Sequence, residues 1–526
     1  MPKKFLVFIL FFCLAAGTLP AQKAWWVFFT DKNGTSFDPY SYFEPEAIAR
    51  RKVNHLSLYD STDFPVNENY LREVGLRVDT LGNVTRWFNG VGVVATDEQA
   101  AAVRRLLFVR EVIPQQVMDW IPATATDTTI EDFDGNERTL SQQIAPLGGE
   151  LFAKNGHTGK GIVIAVLDAG FSGADQHPAF SDLRMNNQVR ASWDFVKKTA
   201  DVYSMRADHG TMVLSCMAGK MDGRPMGMAT DATYLLARIA REYGNQYRAE
   251  EYFLAGVEWA DKQGAMLINC SGGPGVRSYF PEQMNGKIPL ISRAANMAAS
   301  KGILVIAAAG NQGDAYDDEL LPPSDADSVL SVTALNDKGY IADYSSRGPT
   351  PQFSHKPDVC APGTAIVADN SGKFTVAEGT SFSAPLLTGF AACLIEMYPD
   401  LSPMVLADTM RKSANLYPYF DYAHGYGAPQ AAYFFSARDT VAPTFSFRTE
   451  ANGDVSVVVE KSALPDCSSK DKPYLYYSLE DASGKIYKYG VIEVTEDIPL
   501  VIYSRRFTEG GKLRVFYKSY YATHVY

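Results

Sequence analysis

The stretch "GIVIAVLDAG", residues 161–170, is an almost uninterrupted apolar run that ends in an acid. Strands that are buried on both faces of a parallel sheet have this composition. Runs of the same character follow along the chain: "TYLLARIA" (233–240), "AMLINCSGG" (265–273), "ILVIAAAGN" (303–311) and "VLSVTAL" (329–335). Helical patterns that end at a glycine lie between them: "RAEEYFLAGVEWADKQG" (248–264) and "LISRAANMAASKG" (290–302). The sequence therefore predicts a doubly wound α/β domain, which we place at residues 146–436.

Polar residues stand at the predicted carboxyl ends of three strands: Asp168, Ser271 and Asn311. Doubly wound sheets bind their ligands at this edge. His209 precedes the helix-like run "TMVLSCMAG", so its imidazole should lie at a helix N-terminus. Position alone would also allow Asp168 to be a turn residue that ends its strand. His177, in the loop "DQHPAF", has no such setting, and we interpret it as structural.

The stretch "AEGTSFSAPLLTGFAACLIE", residues 377–396, begins a predicted buried helix and contains two serines. Ser381 or Ser383 could simply belong to the helix start. An acid and a histidine change this interpretation, because a neutral imidazole activates a serine hydroxyl and a carboxylate fixes the imidazole's tautomer. The uncharged amide of Asn311 could donate to the oxyanion, although a turn role before Gly313 explains it too.

These motifs, in the order Asp, His, Asn and Ser, resemble the subtilisin family of serine proteases. The motifs are "VLDAGF", "DHGT", "AAGN" and "GTSFSAP", supported by "NCSGGP" (269–274), "YSSRGP" (344–349) and "KPDVCAPG" (356–363). The resemblance covers about residues 145–436 and implies a subtilisin-like fold. It also implies that Ser381 is the nucleophile, that Asp168 and His209 complete the triad, and that Asn311 donates to the oxyanion. Ser383 is then a polar residue of the first helical turn, where Pro385 is tolerated.

The segments "SGGPG" and "AAAGN" supply the candidate substrate-binding residues Ser271, Gly272, Gly273, Ala309 and Gly310. They offer small apolar surfaces and no fixed charge, so we expect broad cleavage after apolar or medium-sized residues. Two positions depart from the family's usual pattern. Ala169 stands beside the acid where Thr or Ser is frequent, and Gly272 replaces a larger residue of the pocket wall.

Residues 1–21 have the features of a secretory signal: two lysines, a 13-residue apolar run and small residues near Ala21. Residues 22–120 end in a strand–helix–strand pattern whose helix carries Ala101, Val103, Leu106 and Leu107. This α+β unit resembles the family's propeptide, although a permanent domain is the alternative. We expect an exposed linker at 121–145, with self-cleavage between Ile121 and Ser141.

Short alternating strands predict a small C-terminal β-sandwich at residues 441–526. The net charge of −11 without a basic stripe argues against nucleic-acid binding, and no later segment is apolar and long enough for a membrane span. Five cysteines remain after the signal: Cys216, Cys270, Cys360, Cys393 and Cys467. Their apolar surroundings favour free buried thiols over disulfides or zinc ligands.

The sequence thus predicts an exported serine endopeptidase, secreted, periplasmic or at the cell surface, whose partners are polypeptide substrates and its own propeptide. Its chemistry needs no cofactor; structural calcium is frequent in the family, but no ligands can be assigned, and we expect the acidic loop "DAYDDE" (314–319) to be solvated. An inactive binding protein on a protease scaffold is the main alternative, and a small-molecule esterase or amidase is another. The chain lacks H-E-x-x-H, and its serine motif is not G-x-S-x-G.

Overall fold

The computed structural model of this 526-residue chain describes most of its length. The described ranges are 21–116, 120–122, 126–128, 134–241, 248–275, 278–313, 319–436, 441–465, 473–495 and 498–526. The predicted signal, Cys13, Cys467, most of the acidic loop at 314–319 and parts of the predicted cleavage range lie outside the described residues.

The N-terminal unit is an antiparallel sheet with helices, in the strand order β2-β3-β1-β4. Its strands are β1 (Lys23–Phe29), β2 (Thr80–Thr85), β3 (Gly90–Ala95) and β4 (Val109–Pro114). Its helices are α1 (Pro39–Tyr42), α2 (Pro45–Val53), α3 (Glu68–Gly75) and α4 (Asp97–Arg104). Thr96 and Gln99 form a capping box at the start of α4. The apolar stripe that was expected to include Leu106 and Leu107 is shorter, because α4 ends at Arg104 and leaves Leu107 98% exposed.

The predicted linker at 121–145 is only in part a linker. Two short strands, β5 (Trp120–Pro122) and β6 (Thr126–Thr128), pair with the following domain, and two helices follow, α5 (Asp134–Ile144) and α6 (Gly149–Lys154). Gln143 near the end of α5 is fully buried, donates to Met226 O at 2.7 Å and accepts from Ile366 N at 3.0 Å. The polar composition hid these pairings because backbone hydrogen bonds do not depend on side-chain polarity.

The middle of the chain contains a seven-stranded parallel sheet, in the order β16-β15-β14-β12-β7-β11-β8. The strands of this region are β7 (Val163–Asp168), β8 (Val189–Asp194), β9 (Lys220–Met221), β10 (Arg224–Pro225), β11 (Thr233–Arg238), β12 (Leu267–Cys270), β13 (Gly272–Pro274), β14 (Leu304–Ala308), β15 (Val329–Leu335), β16 (Val359–Pro362), β17 (Thr364–Ala368) and β18 (Phe374–Glu378). The helices are α7 (Ser181–Met185), α8 (His209–Ala218), α9 (Ala249–Lys262), α10 (Leu290–Ser300), α11 (Thr380–Met397), α12 (Pro403–Ser413) and α13 (Ala432–Phe435).

The residues of β7 alternate between two apolar clusters on opposite faces of the sheet. Ile164 and Val166 pack in the cluster that includes α8 and α11, whereas Ala165 and Leu167 pack in the cluster that includes α9 and α10. Every residue of β7 is buried, which explains why its sequence is continuously apolar. The predicted doubly wound, subtilisin-like fold is confirmed.

One helix in the described part of the chain, α11, is long and apolar enough to cross a membrane, but 89% of this stretch is buried inside the protein. It is the central core helix of one face of the sheet. The four described cysteines, Cys216, Cys270, Cys360 and Cys393, are free and buried, as predicted.

The C-terminal region consists of two antiparallel sheets, β19-β20-β23 and β22-β21-β24-β25. Its strands are β19 (Phe445–Thr449), β20 (Val455–Val459), β21 (Tyr474–Glu480), β22 (Ile486–Glu493), β23 (Leu500–Ile502), β24 (Lys512–Tyr517) and β25 (Tyr520–Val525). Both sheets contribute to one apolar cluster, including Val457 from the first and Leu513 from the second, so the predicted sandwich is present. Tyr474 contacts Tyr340 of the middle region, with ring centroids 3.9 Å apart.

Candidate active site

Three predicted site residues meet at the carboxyl edge of the sheet. Asp168 is the last residue of β7, His209 is the first of α8, and Ser381 is the second of α11. His209 Nδ1 lies 2.8 Å from Asp168 Oδ1, and His209 Nε2 lies 3.0 Å from Ser381 Oγ. The fold thus joins residues that are 41 and 172 positions apart in the chain.

The hydrogen bonds around Asp168 fix the tautomer of His209. A carboxylate only accepts, so Nδ1 must carry the proton on that side, and a neutral ring then presents its Nε2 lone pair to Ser381. Asp168 Oδ1 also accepts from the N–H of Ala169 at 2.7 Å. All three side chains are almost fully buried, with exposures of 2%, 6% and 0% for Asp168, His209 and Ser381. The arrangement can transfer a proton from the Ser381 hydroxyl to an imidazole in a site with little water.

Pro385 lies farther inside α11 than the sequence suggested. The helix begins at Thr380, so Pro385 is in its second turn and removes the hydrogen bond that the Ser381 carbonyl would otherwise accept. The Ser271 hydroxyl replaces it, donating to Ser381 O at 2.9 Å. The Ser381 hydroxyl in turn lies 2.8 Å from the Ser271 carbonyl. Ser271 therefore binds the segment that carries Ser381, and sequence reasoning missed this role.

The side chain of Asn311 is oriented by Thr380, the residue before Ser381. Its carbonyl oxygen accepts from the backbone N–H of Thr380 at 3.0 Å and from the Thr380 hydroxyl at 2.9 Å. Because a backbone N–H can only donate, the atom that faces it must be the oxygen, and the NH2 group points elsewhere. Asn311 Nδ2 is buried and has no hydrogen-bond partner among the described residues. Thr380 was missed, although it stands in the quoted "GTSFSAP" motif.

The predicted substrate-binding residues form two backbone segments beside Ser381. Ser271, Gly272 and Gly273 continue into β13, whereas Ala309 and Gly310 follow β14. The Gly310 N–H donates to the Thr380 hydroxyl at 3.2 Å, which links the second segment to the start of α11. We call these segments the two walls, residues 271–273 and 309–310.

The chain's own N-terminal part lies along the first wall. β5 pairs antiparallel with β13, with Trp120 opposite Pro274 and Pro122 opposite Gly272. Trp120 is 3% exposed, and its ring lies 6.0 Å from that of Phe253 in α9. A few residues later, β6 pairs with β18, where Thr126 lies opposite Glu378. The chain therefore pairs with two strands of the catalytic region, β13 and β18.

The N-terminal unit also contacts the acidic side chains of α9. Asp261 binds Arg51 at 2.8 Å and binds Arg50, and Arg51 also reaches Asp63 at 2.7 Å. Glu258 accepts from the Arg86 N–H at 2.9 Å and from the Thr85 hydroxyl, and burial raises its pKa to about 7. These contacts are polar and buried, and they lie beside an apolar cluster in which Trp26, Phe28 and Trp87 pack with α9.

His177 and the expected calcium ligands are the remaining candidates from the sequence. His177 is buried in its loop, donates from Nε2 to Lys373 O at 2.8 Å and accepts from Ala179 N at 3.0 Å, as a structural residue would. Across the described ranges, no group of three or more His, Cys, Asp or Glu side chains is arranged to hold a metal ion.

Comparisons with known proteins match both the N-terminal and the middle part of the chain. A model described as the subtilase family matches residues 159–427, just over half of the chain. A model described as the peptidase S8 propeptide domain of Bacteroidota matches residues 24–129. The serine protease AprX of Bacillus subtilis (strain 168) is 28% identical over 413 residues, which covers 72% of this chain and 86% of AprX. Subtilisin E of the same organism is 29% identical over 295 residues, covering 55% of this chain and 70% of subtilisin E.

Among solved structures, fervidolysin from Fervidobacterium pennivorans, described as a keratinolytic enzyme related to subtilisin, superposes with a TM-score of 0.56 at 18% identity. The superposition covers 95% of this chain and 71% of the fervidolysin chain. It supports the fold.

Proposed function

Because the chain belongs to the subtilase family of serine proteases and carries the matching propeptide domain, we propose that it is an exported endopeptidase made as a zymogen. The observation that supports its activity most directly is the continuous hydrogen-bonded arrangement of Asp168, His209 and Ser381. An inactive binding protein would not need these groups at catalytic distances.

The proposed reaction is acyl transfer through Ser381. As Ser381 Oγ attacks the peptide carbonyl, His209 Nε2 accepts its proton, and Asp168 stabilises the resulting imidazolium. The imidazolium then gives this proton to the leaving amine, which breaks the peptide bond and leaves an acyl-enzyme. Water then attacks the ester while His209 accepts its proton, and the imidazolium returns this proton to Ser381 Oγ as the acyl group leaves as a carboxylic acid. These three side chains carry out the proton transfers, and the proposed reaction uses no cofactor.

The oxyanion that forms on the attacked carbonyl needs hydrogen-bond donors. Asn311 Nδ2 is buried without a partner among the described residues, so it can donate without first breaking another bond. The Ser381 N–H is in the first turn of α11, where backbone N–H groups have no intrahelical acceptor. The positive end of this helix dipole favours the developing charge.

Polypeptides are the proposed substrates, because the first wall already binds an extended chain. The antiparallel pairing of β5 with β13 supports this proposal, because the backbone of residues 272–274 pairs there with an extended strand. A substrate entering from outside would replace β5 and gain the same hydrogen bonds. A small ester or amide could not form them, which disfavours the esterase alternative.

Self-cleavage follows from the same pairings. β5 ends at Pro122 beside the first wall, and β6 begins at Thr126 beside β18, the strand that leads into Ser381. We therefore narrow the cleavage range from 121–141 to the bonds between Pro122 and Thr126. Cutting one of these bonds would release a propeptide that begins at residue 22 and ends within 122–125, and would free the cleft for other substrates.

Export and calcium binding remain proposals from the sequence. Residues 1–21 have the composition of a signal peptide, which would carry the zymogen across the membrane for release outside, in the periplasm or at the cell surface. Structural calcium is proposed only through the family resemblance, with no ligands assigned. The middle region and the C-terminal sandwich would then form the mature enzyme.

A phosphonofluoridate probe, which reacts with activated serines, tests the proposed function. We expect the processed wild type to be labelled at Ser381 and to digest unfolded casein, and the Ser381→Ala variant to do neither. Ser383→Ala is the matched control: Ser383 is buried in the same helix but bonds to Pro362 O at 3.0 Å, so labelling should persist. A folded wild type that takes no label would support the binding-protein alternative. Labelling without casein cleavage would support the esterase or amidase.

A further inference from the structure

The two walls beside Ser381 do not enclose an open slot, because Leu321 lies between them. Its backbone N–H donates to Ala309 O at 2.9 Å, and the residue is 2% exposed. A Cβ added to Gly310 would lie 2.8 Å from Leu321 Cγ, and a Cβ added to Gly273 would lie 3.3 Å from Leu321 Cβ. One side chain therefore touches both walls.

Glycine is required at both wall positions by this packing. Gly310 has φ +115°, a conformation that L side chains rarely adopt, and Gly273 faces Pro322 O, which a Cβ would approach to 2.4 Å. The walls can thus come close together with only Leu321 between them. Leu321 therefore occupies the space between the two glycines.

We propose that Leu321 limits the size of the substrate residue whose carbonyl Ser381 attacks, the P1 residue, so that the enzyme cleaves after small residues, alanine foremost. This inference rests on the proposed function. It narrows the expected preference for apolar or medium-sized residues to the small end of that range. A larger P1 side chain would have to displace Leu321, and a packed interior resists such displacement.

The sequence at the proposed cleavage bonds is consistent with this assignment. The bonds between Pro122 and Thr126 follow Pro122, Ala123, Thr124 or Ala125, so no large side chain precedes any of them. A pocket that accepts only small P1 residues is therefore compatible with every bond that the zymogen is proposed to cut. A deep pocket would gain little binding energy from such a sequence, because the side chains bury little apolar surface.

The inference can be tested with two peptide substrates that differ only at P1, which is alanine in one and phenylalanine in the other. The enzyme is expressed with its propeptide and assayed after processing. We expect kcat/KM of the wild type to be roughly 10–200-fold higher for the alanine peptide, the range by which a pocket discriminates side chains by size. Leu321→Ala should raise kcat/KM for the phenylalanine peptide by about tenfold or more and reduce this preference. Leu321→Val, a smaller change, serves if the alanine variant does not fold.

Leu320→Ala is the matched control. Leu320 is a neighbouring buried leucine, 3% exposed, but it lines a different cavity with Met284 and Phe353. Its loss should leave the P1 preference unchanged. The inference is overturned if the wild type cleaves both peptides equally, or if the Leu321 variants stay active on alanine with an unchanged preference. A folded, processed wild type that cleaves neither these peptides nor casein would instead overturn the proposed function, and this inference with it.

Discussion

At the scale of single residues, the orientation of the Asn311 amide is the feature with the clearest consequence. Thr380 holds its oxygen, and the NH2 group remains available. Replacement by leucine removes this donor while keeping a similar volume. We expect Asn311→Leu to lower kcat by about 10²–10³-fold and to change KM little, because the oxyanion exists only after attack.

Steady-state kinetics on one peptide substrate would measure this effect. Asn186→Leu, at an exposed asparagine, is the control for general effects of the substitution. A variant that keeps the wild-type kcat would show that the oxyanion donor lies elsewhere.

The sequence predicted Asp168, His209 and Ser381 because each stands at the boundary of a strongly patterned element, where few residue types carry chemistry. It could not predict Thr380 or Leu321 in the same way. Thr380 orients Asn311 across 69 residues of chain, and Leu321 touches two walls that belong to different strands. Such roles depend on how loops pack, which has no periodic signal.

At the scale of elements, α11 contains a proline that removes one helical hydrogen bond, and a residue between β12 and β13 replaces this bond. Pro385 cannot donate to the Ser381 carbonyl, and the Ser271 hydroxyl after β12 donates instead. In an inactive Ser381→Ala background, we expect Ser271→Ala to lower the free energy of unfolding by about 1–3 kcal/mol, because a buried carbonyl loses its partner.

A double-mutant cycle tests this account. Pro385→Ala restores the helical N–H, so Ser271→Ala should cost about 1 kcal/mol less when both changes are combined. Urea unfolding of the four variants would give the coupling. Strictly additive costs would mean that Ser271 stabilises the helix through some other contact.

The sequence predicted those strands whose burial imposes an apolar pattern. It did not predict short strands that are held only by backbone hydrogen bonds. β7 is apolar throughout because both its faces are covered, and the run at 163–168 revealed it. β6 carries the polar sequence "TDT", yet it pairs with β18. Leu107 is apolar but lies beyond the end of α4, so an apolar stripe alone overestimated the helix.

At the scale of the whole molecule, the buried contact of the N-terminal unit with α9 should depend on pH. Burial raises the pKa of Glu258 from its ordinary value to about 7, although Thr85, Arg86 and Trp87 donate to its carboxylate. A raised carboxyl pKa means that the packed form binds more protons than the unpacked form. Its contribution to stability is therefore full below about pH 4.5 and is lost as the pH rises through about 7.

Lys32 is a charged neighbour of Glu258 that stays mostly protonated in that window. Nearby Lys32 has its pKa lowered to about 8 by burial, so it titrates mainly above the window. In the Ser381→Ala background, we expect Glu258→Gln to flatten the loss of stability between pH 5 and 8 by up to about 3 kcal/mol, because the pKa of Glu258 is raised to about 7. Unfolding by urea at a series of pH values measures it. Identical pH profiles for the two proteins would mean that Glu258 does not titrate in this range.

The central claim is that this chain is a zymogen that Ser381 cuts between Pro122 and Thr126. Intact-mass and N-terminal analysis of wild type and Ser381→Ala, both expressed from residue 22, tests it most directly, with Ser383→Ala as the control. We predict that wild type and Ser383→Ala acquire an N-terminus within residues 123–126 and that Ser381→Ala stays whole. A wild type that stays whole yet digests casein would contradict this account, as would a purified Ser381→Ala variant that is cut at the same bond.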